Sequence, residues 1–343
     1  MKSKLRYGIK KILNFLHIHQ NSDKKDIFIF STFRSGSTWL EEIIKSQPGI
    51  KFPVSPNKIE FLPNIDSYYQ AIKPQPYYIN LSEKEKRILK DYVLKASQGE
   101  IVYGRRYINL FSPHHSFITD RSVFRLLRSC YLLDWYKKTF NGHIIYLLRH
   151  PIATCLSRKK VWENSDNPSY WSFKIEHFLQ SDYFRTNYLN HDLEMFLQEK
   201  IPQSTELEKF IISWCLENLS LLRRVQKLEE KTDFIFLTYE DLLVNPAKVI
   251  NHLKEKLQLE DLDKMLAQVN IPSSTVKYSD DRTKDNFKSS TYDKEFLLKK
   301  WKKGVSEKEE KKIFNIIKQF GINIYKVNSF MPEEKYLMSE NFK

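Results

Sequence analysis

Two short stretches carry the residues best suited to chemistry. In "STFRSGSTWL" an apolar run breaks into Arg34-Ser35-Gly36-Ser37-Thr38 and resumes as a helix former at Trp39. A strand, a small-residue turn and a helix start aim unpaired backbone N–H groups and the positive end of the helix dipole at one point, which suits a phosphate or sulfate. Gly36 lets the backbone curl close to the anion. Ser37 and Thr38 add hydroxyl donors, and Arg34 sets a fixed positive charge at the mouth. The Gly-x-x-x-x-Gly-Lys-Ser/Thr loop that holds ATP or GTP is not the match, because its first Gly and its Lys are absent.

The second stretch, "HIIYLLRHPIATCLSRKK", has the same strand-turn-helix form. Arg149 closes the strand and Pro151 is preset for the first helical turn. Ser157 follows about two helical turns later. At the carboxyl end of a central strand, Arg149 would sit where ligands bind in open α/β sheets. A third stretch, "DFIFLTYEDLLVNP", places Glu240 and Asp241 at a helix start, where carboxylates act as caps more often than as metal ligands.

Positioning these turns requires strands and helices in alternation. Apolar runs at 26–30, 143–148 and 234–238 read as strands buried on both faces of a parallel sheet. Helical periodicity marks 38–46, 123–138, 206–230 and 307–320. The expected fold is therefore a single α/β domain, a central parallel sheet flanked by helices. It would span 26–330, after a basic N-terminal segment 1–25 and before a tail 331–343. Two less regular regions, the Pro-rich aromatic stretch 48–80 and the polar-aromatic stretch 163–203, read as binding walls or lids.

Composition narrows the partners. In 343 residues, 56 Lys and Arg against 42 Asp and Glu give +14, which favours an anionic partner. Neither zinc-finger spacing nor basic-helix heptads support nucleic acid. Cys130, Cys155 and Cys215 lack metal-site spacing and are odd in number, which fits a reduced, cytoplasmic setting. No apolar run reaches the roughly 18 residues of a spanning helix. Leu5, Ile9, Ile12, Leu13 and Leu16 alternate with Lys2, Lys4, Arg6, Lys10 and Lys11, the pattern of an amphipathic helix that packs on the domain or touches the inner membrane surface.

Together the three stretches resemble the sulfotransferases that use 3′-phosphoadenosine-5′-phosphosulfate (PAPS), with a P-loop-like fold. "FSTFRSGSTWL" looks like their 5′-phosphosulfate loop in its carbohydrate-type Arg-Ser-Gly form, and "YLLRHPIATCLSR" looks like their 3′-phosphate motif. "LTYEDLLVNP", "IPSST" and "KKWKKGVSEKEEKKIFNIIKQFGINIY" resemble further family segments. The resemblance implies that Arg34, Ser35, Gly36, Ser37 and Thr38 hold the 5′-phosphosulfate and that Arg149 and Ser157 hold the 3′-phosphate. It implies Trp39, or Ser274 and Thr275, beside the adenine, and Lys302 or Lys303 as a further phosphate contact.

The resemblance also implies a base for the acceptor hydroxyl. Glu60 in "SPNKIEF" is the first choice, because Ile59 and Phe61 would raise its pKa toward that of a useful base; His114 and His115 are the second. Arg105, Arg106 and Arg121 would face the transferred group or an acidic acceptor. A carbohydrate or glycolipid acceptor fits the Arg-Ser-Gly form, and no metal is expected. The rival readings are a P-loop kinase using ATP and magnesium, and a non-catalytic anion-binding module.

Overall fold

The computed structural model describes residues 18–340 apart from 21, 54, 62–65, 73–76, 99, 102–115, 228–233 and 276–292. Its strands are β1 (Ile18–His19), β2 (Ile27–Ser31), β3 (Ile50–Lys51), β4 (Ile118–Thr119), β5 (Arg121–Leu126), β6 (His143–Leu148) and β7 (Ile235–Thr238). Five of them form a parallel sheet in the order β3-β5-β2-β6-β7, and β1 pairs with β4 in a small separate ribbon. The expected parallel α/β sheet is present.

The period-2 geometry of a strand explains why β2 sits at the centre. Phe28 and Phe30 face one side and pack with Phe124, Tyr136, Tyr146 and Trp214. Ile27 and Ile29 face the other and pack with Val123, Ile145, Leu147, Leu40 and Ile43. All four are fully buried, so the first four positions of β2 each need an apolar residue. The helices Glu206–Gln226 and Glu307–Gln319 cover the first face. Each starts in a reciprocal capping box, Thr205 with Glu208 and Ser306 with Glu309.

One expected helix is corrected. The stretch 123–138 divides into the end of β5 and the helix Leu133–Phe140. Val123, Leu126, Leu127 and Cys130 do fall at helical spacing, yet Val123 pairs with Ile27 and Leu126 with Phe30. Filling the slot between β2 and β3 buries both faces of this segment, and tertiary pairing overrides local pattern. The same pairing relocates Arg121, expected near the transferred group. It stands at the start of β5, at the opposite end of the sheet from the turn after Ser31, and donates to the carbonyls of Lys25 and Leu257. Region 163–203 contains four helices: Pro168–Trp171, Ile175–Leu179, Asp182–Tyr188 and His191–Gln203. The amphipathic segment before residue 18 lies outside the described residues. At the other end, Ser339 docks on Asp241 through its backbone N–H (3.0 Å) and hydroxyl (2.6 Å).

Chain direction fixes where a ligand can sit. From β2 the chain runs to β3 on one side of the sheet, whereas from β6 it runs to β7 on the other. The carboxyl ends of these two adjacent strands therefore form the switch point at which open α/β sheets bind ligands.

A buried ion pair anchors the wall beside that point. Arg158, on the helix Pro151–Glu163, bonds Glu217 at 2.5 Å, and both side chains are buried. The guanidinium also donates to Tyr77 Oη (3.1 Å) and to the carbonyls of Trp171 (3.1 Å) and Ser172 (2.9 Å). Every guanidinium nitrogen is bonded, which offsets part of the pair's desolvation, but neither member tolerates loss of the other. Glu217→Ala is expected to lower the unfolding free energy by about 3–5 kcal/mol, read as a lower urea midpoint with unchanged slope. A loss below about 1 kcal/mol would show that the pair anchors nothing.

Candidate active site

The turn after β2 is built to bend. Arg34 has φ 68° and Gly36 has φ 91°, so two residues of a five-residue turn lie in the left-handed region. Such alternation curls successive N–H groups toward one concave face, an anion-binding nest. Gly36 is the N-cap of the helix Ser37–Lys45 and supplies no side-chain cap. Trp39 and Leu40 N–H donate back to its carbonyl, while Ser35 Oγ locks onto Thr32 O at 2.7 Å. A Cβ on Gly36 would meet the Tyr239 ring at 2.5 Å, so both conformation and space demand glycine here.

The second turn lies against the first. Arg149, at the end of β6, donates through Nη1 to the carbonyl of Arg34 at 3.1 Å. Arg34 in turn donates through Nε to Ser157 Oγ at 3.0 Å. These two bonds bring Arg34 together with Arg149 and Ser157, which lie more than a hundred positions further along the chain. Tyr239 lies beneath them: the Arg149 guanidinium stands 4.3 Å over its ring, and Trp39 packs against it at 5.5 Å.

Carboxylates and aromatics behind the turns hold them in place. Glu240, buried at the start of the helix Tyr239–Val244, accepts from His150 N–H at 3.0 Å and from Tyr325 Oη at 2.7 Å. Burial pushes its pKa up, partly offset by these bonds and by Arg149. His150 stacks on Trp301 at 4.3 Å, and burial drives its imidazole pKa down to about 3. It is a neutral packing group. Asp241 is held by Thr238, Asn245 and Ser339, so both acidic residues of this stretch serve structure.

The remaining expected residues fall in different places. Trp39 is buried beside Tyr239. Ser274 is exposed at the far end of the first helix, its N–H facing the Glu42 carboxylate at 3.3 Å, and the Thr275 hydroxyl meets that of Ser273. Lys302 directs its ammonium to Glu310, a fully buried carboxylate, and to Asn328 at 2.8 Å. In this arrangement its charge balances a core carboxylate, while Lys303 is exposed. Glu60 belongs to the 3-10 turn Pro56–Phe61, and its side chain lies outside the described residues, as do His114, His115, Arg105 and Arg106.

Three residues were missed by sequence reasoning. Arg125 bonds Thr38 Oγ1 and pairs with Glu41 at 3.0 Å. Arg128 stands over the Phe33 ring at 5.2 Å. Both were hidden by reading 123–138 as helix; as basic residues at the carboxyl end of a strand they would have stood out. Tyr239 was passed over in favour of its acidic neighbours.

A family model described as a sulfotransferase domain matches residues 24–327. The chain belongs to the PAPS-dependent sulfotransferase family. Solved structures similar to it include a mouse sulfotransferase complexed with PAP, 16% identical, with a TM-score of 0.40 and coverage of 90% of this chain and 86% of that one. A sulfotransferase domain from the curacin biosynthetic pathway is 18% identical, with a TM-score of 0.40 and coverage of 82% and 92%. No curated protein matches the sequence significantly.

The residues present in this sulfotransferase fit its donor nucleotide. Among the described residues, Arg149 Nε, Thr32 Oγ1 and Thr154 Oγ1 are buried without a hydrogen-bond partner. Orphaned donors of this kind are costly unless a ligand meets them, and all three belong to the two turns or the helix that follows one of them. Gly36→Ala is expected to fold with a distorted turn and to weaken 3′,5′-ADP binding by about tenfold or more, the equivalent of about 1.4 kcal/mol. Titration calorimetry checks this; unchanged affinity would mean that the turn does not hold the nucleotide.

Proposed function

We propose that this sulfotransferase moves the sulfuryl group of PAPS to a hydroxyl of a carbohydrate or glycolipid acceptor. One observation carries the reading: the pair of bonds from Arg149 to Arg34 O and from Arg34 to Ser157 Oγ, which makes one clamp of two anion-binding turns. PAPS supplies the sulfuryl group and its phosphate leaving group. Ser35–Thr38 amides with Arg34 would hold the 5′-phosphosulfate, and Arg149 with Ser157 the 3′-phosphate.

Transfer forms one bond from the acceptor oxygen to sulfur and breaks the bond from sulfur to the leaving phosphate oxygen, while a base takes the hydroxyl proton. The protein's share is alignment and charge stabilisation, as in phosphoryl transfer. Arg34 at the mouth of the nest is placed for the charge that grows on the leaving group, so magnesium is not required. Glu60 is the proposed base, with His114 or His115 as the alternative. The acceptor class is supported by the aromatic rings of Tyr170 and Trp171, which pack edge-on against Phe33, a residue of the first turn, at 5.5 and 5.3 Å.

Calorimetric titration with 3′,5′-ADP and with ATP plus magnesium tests the donor: 3′,5′-ADP is expected to bind tighter, and the reverse order would defeat the reading. Glu60→Gln is expected to spare 3′,5′-ADP binding and cut kcat by about 10²–10⁴. Normal turnover in that variant would pass the role to His114 or His115.

A further inference from the structure

Residues 331–340 form a strap that lies beyond the stretch matched by the family model, which stops at 327. Tyr336 is buried in the core on the Phe28 face of the sheet, and Met338, two residues on, in the core on the Ile27 face. The strap therefore ties the two faces together on the side of β7, an edge strand. Its start is closed back on the preceding segment: Glu333 N–H donates to Ile324 O at 2.8 Å, Tyr336 Oη to Asn323 Oδ1 at 2.8 Å, and Lys326 pairs with Glu333 at 2.6 Å. Its end grips Asp241, with Asn245 Nδ2 donating to Ser339 Oγ at 3.2 Å and Lys248 facing Glu340 at 3.3 Å.

The grip on Asp241 reaches the nucleotide turns through one helical turn. Asp241 is fully buried, and Ser339 supplies a donor to each of its oxygens, the hydroxyl to Oδ1 and the backbone N–H to Oδ2. Lifting the strap would strip both donors from a buried carboxylate, which is costly unless the turn that carries it moves. Tyr239 stands two residues before Asp241 in that same turn, filling the space under Gly36 and carrying the Arg149 guanidinium on its ring. Glu240, between them, holds His150 N–H beside Arg149. A shift of this turn would move the Gly36 bend and Arg149 together.

We propose that Ser339 is a positioning residue for the nucleotide: through Asp241 and Tyr239, the docked strap sets the geometry of Gly36 and Arg149, so that strap docking and nucleotide binding strengthen each other. The proposal rests on the reading of these turns as the nucleotide site. Coupling of this kind is reciprocal. Whatever factor the docked strap adds to nucleotide affinity, bound nucleotide adds to strap docking, and a strap that only stabilised the fold would lack the second effect.

Two measurements on the full chain test both directions. In titration calorimetry, Ser339→Ala is expected to weaken 3′,5′-ADP binding by about fivefold or more. In hydrogen exchange of the wild type, saturating 3′,5′-ADP is expected to slow the amides of Met338, Ser339 and Glu340 by about the same factor, because local opening of the strap then works against bound nucleotide. The amides of Ile18 and Gln20, bonded to Phe117 O and Thr119 O at the opposite end of the sheet, serve as the control and are expected to keep their rates. Unchanged 3′,5′-ADP affinity in Ser339→Ala would overturn the proposal, as would strap amides that ignore the nucleotide or slow no more than the control. The exchange arm decides alone if Ser339→Ala does not fold. A wild type that fails to bind 3′,5′-ADP would instead strike at the nucleotide site itself.

Discussion

The structure depends on a short seam of hydrogen bonds in which Arg149 grips the backbone of Arg34 and Arg34 grips Ser157. Each turn alone is an ordinary strand-to-helix connection. Joined, they place a left-handed nest and a second guanidinium side by side at the switch point of the sheet. The seam exists because β2 and β6 are hydrogen-bonded neighbours in register, with Ser31 beside Leu147, so the turns that follow them leave the sheet at the same height.

The elements behind the seam keep it rigid. Tyr239 fills the space under Gly36 and carries Arg149 on its face. One residue on, buried Glu240 ties the backbone of His150 to Tyr325 from the C-terminal region. The strand-turn-helix at 235–244 therefore acts as a plinth for both anion-binding turns. A carboxylate that sequence alone could assign to a metal is instead consumed in holding a loop, because burial makes it costly unless every oxygen is met.

Much of this was legible in the residues. Strands such as β2 and β6 read clearly, since burial on both faces demands uninterrupted apolar runs. That Arg34, Arg149 and Ser157 share one ligand was implied by the family resemblance of two strand-turn-helix stretches, each of which alone left the matter open. What failed was β5, whose apolar residues satisfy helical and extended spacing alike; only the slot between β2 and β3 decides between them. With it went Arg125 and Arg128, whose meaning depends on standing at a strand's carboxyl end. The contact between Lys302 and Glu310 was hidden for a related reason: the carboxylate lies eight residues along the chain, and nothing in the local pattern reveals that it is fully buried.

The most direct test of the seam is a double-mutant cycle on 3′,5′-ADP affinity using Arg34→Ala, Ser157→Ala and the double variant, with urea midpoints confirming that each folds. If the two turns act as one clamp, the losses are non-additive by about 1 kcal/mol or more, because either single change already breaks the shared contact. Losses that add to within about 0.3 kcal/mol would mean that the turns bind independently, and the account of a single two-phosphate clamp would fail.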